Sequence, residues 1–135
     1  ALTAMVIVDT SVWVDYLRGH STPHTDWLHR EIENQRLGVL DLTLCEVLQG
    51  VLEDRHFAEV HRSLLTFEVF TTGGVELSVA AAQNYRTLRA RGKTVRKTVD
   101  CLIATFCILN SHVLLHADKD FDHFEKELGL KVLHP

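Results

Sequence analysis

Apolar residues follow two rhythms along this chain. Short, mainly apolar runs, rich in β-branched and aliphatic residues, stand at 6–8, 37–43, 67–70, 113–115 and 131–133. Runs of that length predict strands, the first of them buried and the second passing into a helix start. Helical spacing takes over in between. Val12, Tyr16 and Leu17 share one side of 10–17, and Trp27, Leu28 and Ile32 form the next stripe. Leu44, Val47, Leu48 and Val51 continue the helix entered after the second run. Amphipathic or apolar helices are predicted at 54–65, 77–91, 100–109 and 119–128. Arg18, Gly19 and His20 stop the first helix, residues 21–23 make a turn, Gly73 and Gly74 punctuate, and Gly92 and Gly129 close helices. Strands alternating with helices predict an α/β sandwich, a parallel sheet covered on both faces.

The 135 residues suit one domain, and no repeat, low-complexity tract or linker divides them. Residues 5–135 are read as that domain. Met5 is read as the natural start, and residues 1–4 are set aside as extraneous; ALTAM is too short and uncharged for a secretory signal. No apolar run approaches the ~20 residues that cross a bilayer, so no membrane association is expected. Cys45, Cys101 and Cys107 form no framework and no CxxC, which argues against a disulfide-stapled module and structural zinc. They are expected to be small buried apolar residues in a reducing cytoplasm.

Net charge is −4, but it is unevenly placed. Residues 77–99 hold Arg86, Arg89, Arg91, Lys93, Arg96 and Lys97 and no acid. The other eight basic residues face all 18 acids, leaving the remainder at 8 − 18 = −10. A basic segment on an acidic body attracts a phosphate backbone locally; a solvated helix end and loop is the other reading.

The stretch VIVDTSVWVDYL ends a predicted strand on Asp9. In an open parallel sheet, ligands bind beyond the carboxyl ends of the strands. Glu46 lies about one helical turn past the second run, Asp118 follows the 113–115 strand, and Asp100 opens the apolar helix before it. Each acid alone has a structural explanation: Asp9, Asp100 and Asp118 as caps or first-turn acids, Glu46 as a solvated helix residue. Together at one sheet end they repel, and either take up a proton or hold a cation. Hard cations such as Mg²⁺ and Mn²⁺ suit oxygen ligands of this kind.

VIVDTSVWVDYLRG, LTLCEVLQG around Glu46, VDCLIA at 99–104 and LLHADKDF at 114–121 resemble the PIN-domain family. They are most similar to the VapC-type toxins of bacterial toxin–antitoxin pairs. The likeness runs from Met5 across essentially the whole chain, with the four motifs in family order. It implies a three-layer PIN-like sandwich with a mostly parallel five-stranded sheet flanked by helices. It also implies a metal-dependent endoribonuclease. Its acidic quartet would be Asp9, Glu46, Asp100 and Asp118, with Asp120 as a candidate fifth and Ser11 or Thr10 as the hydroxyl beside the metal. Asp9 and Asp100 would be the principal ligands of one or two Mg²⁺ or Mn²⁺ ions per site. Glu46 and Asp118 would hold metal-bound water or a second ion. RNA would be led in by the basic residues from Arg86 to Lys97 through phosphate contacts. The implied partners are a second copy, as a homodimer, and a cognate antitoxin whose C-terminal segment covers the active site. At position 116 many relatives have a hydroxyl where this chain has His116; a ligand or proton relay is one reading of it, and a partly buried, satisfied histidine is the expected one.

Other chemistries fit less well. A haloacid-dehalogenase-type phosphatase needs a second aspartate where Ser11 stands, and a receiver domain needs adjacent acids before the first strand's phospho-acceptor pocket, where none stand. Neither GxSxG nor GxxxxGK[ST] is present. An inert PIN-like module that binds RNA or protein is the non-enzyme alternative, but all four acids stand. Trp13, Trp27 and Phe57 are candidates for a partner surface, with core packing the commoner explanation for such residues.

Overall fold

The computed structural model describes residues 5–135, so the reading of residues 1–4 lies outside the described residues. Five strands form one sheet: β1 (Val6–Val8), β2 (Leu37–Leu40), β3 (Glu68–Phe70), β4 (Val113–Leu115) and β5 (Lys131–Val132). Their order is β3-β2-β1-β4-β5, and every pairing is parallel. The helices are α1 (Thr10–Leu17), α2 (Pro23–Glu31), α3 (Asp41–Gln49), α4 (Asp54–Leu64), α5 (Val75–Ala90), α6 (Thr98–Leu109) and α7 (Asp122–Leu128).

The runs of β1, β2 and β4 are continuous because both sheet faces are covered there, whereas the edge strand β3 exposes Glu68 and Val69 and β5 begins on exposed Lys131. Ile7, Leu40 and Leu114 point to a core shared with Ala81 and Leu88 of α5, Ile103 and Cys107 of α6 and Phe124 of α7. Val8, Val39 and Leu115 point the other way, against Val12 and Trp13 of α1, Leu28 of α2, Val47 of α3 and Leu64 of α4. This gives the three layers.

Local chemistry sets the helix ends. Asp9 caps α1 by accepting from the Ser11 amide. Thr22 and Thr25 form a reciprocal capping box on α2, with Pro23 in its first turn. Gly129 closes α7 in the left-handed region, at φ 74°. The predicted 119–128 helix is in fact a 3₁₀ turn, Lys119–Phe121, leading into α7. The Asp118 carboxylate accepts from the Asp120 amide, and the tight turn drops Phe121 into the core.

Two expectations about side chains need correction. Cys101 and Cys107 are buried, but Cys45 is exposed, because α3 turns Thr43 and Val47 inward instead. Trp13 is buried, but Phe57 stands exposed on α4.

Candidate active site

The strand order reverses at β1, whose neighbours β2 and β4 leave in opposite directions along the sheet. Asp9 follows β1 and His116 follows β4, with Val8 beside Leu115 and the Asp9 amide donating to the Leu115 carbonyl at 3.0 Å. The carboxyl ends of these strands thus bring together segments more than 100 residues apart.

Ser11 joins the two ends. Its amide and hydroxyl both donate to Asp9 Oδ2, at 3.0 and 2.7 Å, while its oxygen accepts from the Ala117 amide at 3.0 Å. Thr10 donates to Glu46 Oε1 at 2.8 Å, fixing α3 against α1. The two hydroxyls expected beside the metal are therefore committed to two of its expected ligands. Asp118 follows a similar logic: its amide donates to His116 Nδ1 at 3.1 Å, and its Oδ1 receives the Asp120 amide at 2.9 Å.

Asp100 sits in the first turn of α6, 4% exposed, and its Oδ2 is buried with no hydrogen-bond partner among the described residues. One oxygen each of Asp100, Asp118 and Asp120 lies within 4.8 Å of the others. Burial, then the charges of Asp9 and Asp118, push Asp100 up to about 7. Burial raises Asp9 as well, against the bonds from Ser11. Glu46 is raised first by burial and further by Asp9 and Asp118, against its bond from Thr10. Each of these acids is held out of its usual range by the same surroundings, so the cluster favours a bound proton or a bound cation.

His116 is buried as expected, but only half satisfied. Nδ1 accepts from the Asp118 amide, so the neutral ring carries its proton on Nε2, which is buried without a partner among the described residues. The ring packs on Phe121, 4.9 Å between centroids, and burial lowers its pKa.

The basic segment is divided by its contacts. Arg96 pairs with Asp120 and Arg91 with Glu127 of α7. Arg89 lies over the Tyr85 ring, 5.6 Å from its centroid. Lys97 is near enough to Glu46 and Asp100 for its charge to favour their anions. Arg86 is exposed on α5, at the edge of an apolar recess between α5 and α6, and Lys93 is half-buried in the loop beyond. Sequence reasoning had no sign of the Arg96–Asp120 pair, which spans 24 residues between two irregular segments.

Fold and site together define a doubly covered parallel α/β protein with a carboxylate cluster at its topological switch point. The chain belongs to the PIN-domain family, whose model matches residues 6–127. It is 31% identical over 130 residues to the VapC ribonuclease Mb1587 of Mycobacterium bovis, covering 95% of this chain and 97% of that one. Ribonuclease VapC11 of Mycobacterium tuberculosis matches to the same extent, at 31% over 130 residues. Among solved structures, VapBC2 from Rickettsia felis bound to a promoter DNA fragment superposes with a TM-score of 0.76 at 15% identity, covering 96% of this chain and 97% of that one. FitAcB from Neisseria gonorrhoeae gives 0.73 at 17% identity, covering 97% and 98%. These structures share the fold.

Proposed function

We propose that this chain is a metal-dependent endoribonuclease and the toxin of a bacterial toxin–antitoxin pair, working in the cytoplasm as one domain over residues 5–135. The observation that carries the reading is the convergence of Asp9, Glu46, Asp100 and Asp118, from four separated segments, at one end of the sheet. Asp100 Oδ2, buried without a donor among the described residues, fits a divalent cation: a buried carboxylate oxygen needs such a partner. Asp9, Asp100, Glu46 and Asp118 would hold Mg²⁺ or Mn²⁺, with Asp120 within reach. When bound, the cation supplies a water of lowered pKa and neutralises charge on the phosphate. The chain's own part is positional. Ser11 and Thr10 fix the carboxylates of Asp9 and Glu46, and His116 fixes the Asp118 backbone. Lys97, beside the acids, draws the phosphate backbone toward them.

A partner reading is supported by an open groove of about 590 Å³ among α1, α3 and α4. Val14, Leu17, Val47 and Val51 line it, Leu52 at its edge is 96% exposed, and Glu46 of the acidic cluster stands on its wall. An apolar antitoxin segment lying there would reach the active site. The M. bovis and M. tuberculosis relatives are named ribonucleases, and the R. felis structure is a VapBC complex with promoter DNA.

The test uses partner-free protein with single-stranded and structured RNA in Mg²⁺, in Mn²⁺ and in EDTA. Cleavage is expected with either cation and lost in EDTA. Asp9→Asn is expected to abolish cleavage while keeping the fold, since it weakens cation binding and removes a repelled buried charge. Equal cleavage by this variant and the wild type in matched Mg²⁺ would sink the assignment. RNA binding without EDTA-sensitive cleavage would favour the inert module.

A further inference from the structure

Arg96 lies in the loop between α5 and α6, held there by the buried Val95 beside it. Its Nε donates to both oxygens of Asp120 at 3.2 Å, and its Nη2 donates to Oδ1 at 3.0 Å. The Asp120 side chain is 11% exposed and that of Arg96 72%, so the guanidinium covers a nearly buried carboxylate from the solvent side. Asp120 also belongs to the group of three acids whose oxygens approach within 4.8 Å. The cluster is thus split. Both oxygens of Asp120 already meet a cation supplied by the chain, whereas the neighbouring Asp100 Oδ2 meets none among the described residues.

We propose that Arg96 is a built-in counter-ion that competes with a divalent cation for Asp120, so that Asp120 serves as the partner of Arg96 and not as a cation ligand. The proposal rests on reading the cluster as a cation site. Arg96 is then a positioning residue: it limits the negative charge of the site and draws Asp120 away from the ligand set. A forked guanidinium suits that task, since it engages both oxygens at once.

The electrostatics give each substitution a sign. The Arg96–Asp120 pair is neutral. Without the arginine, an uncompensated carboxylate is left beside the cation. Without the aspartate, an unpaired guanidinium is left there. Without both, the local charge returns to that of the wild type. A true ligand behaves differently: its loss weakens binding whatever happens to Arg96.

The experiment is Mn²⁺ titration calorimetry on cation-stripped, RNA-free protein, with circular dichroism confirming the fold. R96Q is expected to bind Mn²⁺ about five- to tenfold tighter than wild type, and D120N weaker by a similar factor. The R96Q/D120N double variant is expected to stay within about threefold of wild type, the signature of a coupled pair. R96M removes the same charge with the apolar stem retained and is expected to match R96Q. R96Q and R96M binding no tighter than wild type overturns the proposal. So does a double variant weaker than wild type by more than about threefold, since Asp120 would then be a ligand in its own right. Wild-type protein that takes up no Mn²⁺ overturns the cation-site reading itself, and this proposal with it.

Discussion

Asp100 is the residue where burial and repulsion are most exposed to measurement. Its carboxyl is pushed up to about 7 from an ordinary 3.8, first by burial and then by Asp9 and Asp118. A group with a higher folded pKa binds more protons in the folded state. Its contribution to stability is therefore fully present below about pH 4 and is lost as pH rises to about 7, with no further change above. His116 has the opposite sign: its lowered pKa favours the folded state as pH rises through the ordinary 6.5. Substitution separates the two. Asp100→Asn should be more stable than cation-free wild type, and its advantage should grow from pH 5 to pH 7 and then level off. Urea melts across that range check it, and an advantage independent of pH would contradict the burial of a titrating carboxylate. Adding Mn²⁺ to wild type at pH 6 should also release protons, that of Asp100 among them, and fewer at pH 8.5, because a bound cation requires the anions. Only part of this site was legible beforehand. Asp9, Glu46 and Asp118 could be picked out by asking which acids follow apolar runs, and Asp100 by its place at the start of an apolar helix. The bond from the Ala117 amide to Ser11, 106 residues apart, could not, because it depends on β1 and β4 being neighbours in space.

Strand β2 shows why an element can be legible while its packing is not. LGVL reads as an apolar run, and Gly38 looks like its weakest member. In the sheet, a Cβ at Gly38 would stand 2.7 Å from Met5 Sδ, 2.8 Å from Ile7 Cδ1 and 2.8 Å from Phe70 Cε2. Those three side chains belong to β1, β3 and the residue before β1, so the glycine lets them close over β2. Elsewhere a Gly→Ala change in an unstrained position gains stability through the unfolded chain. Here overpacking should win, and Gly38→Ala is expected to cost about 1–3 kcal/mol. Gly73 has nothing within 4 Å of a built Cβ and no left-handed φ, so Gly73→Ala should be neutral or slightly stabilising. Denaturant midpoints of the two variants make the comparison, and a Gly38→Ala protein as stable as wild type would contradict the packing argument. The strands themselves were readable because both faces of β1, β2 and β4 are apolar, so local pattern and tertiary burial agree. Where they part, as at the exposed Cys45 and Phe57, residue type alone points inward and the direction of the helix face decides.

Over the molecule as a whole, the charge imbalance is smaller in effect than it looks in the chain. Residues 77–99 carry six positive charges, but Arg91 and Arg96 are already paired with Glu127 and Asp120. Arg86, Arg89, Lys93 and Lys97 have no salt bridge among the described residues, so about four cations are free to meet a phosphate backbone. Of these, Lys97 stands nearest the acids, which gives the segment a direction: it can draw a strand toward a cluster that by itself would repel it. Binding of single-stranded RNA releases counter-ions in proportion to the phosphates neutralised, with a slope of about −0.7 per contact in log K against log salt. Four free cations set an upper bound near a slope of about −3, whereas six would give about −4. The measurement is fluorescence anisotropy in EDTA, where the RNA stays intact, over a range of salt concentrations. Lys93→Gln should flatten the slope by about 0.7, as expected for one lost phosphate contact, while Arg91→Gln should leave it nearly unchanged because that side chain is held by Glu127. A slope of −4 or steeper, with Arg91→Gln reducing it, would show that RNA pulls Arg91 out of its ion pair and that the fold's internal pairing does not limit the binding face.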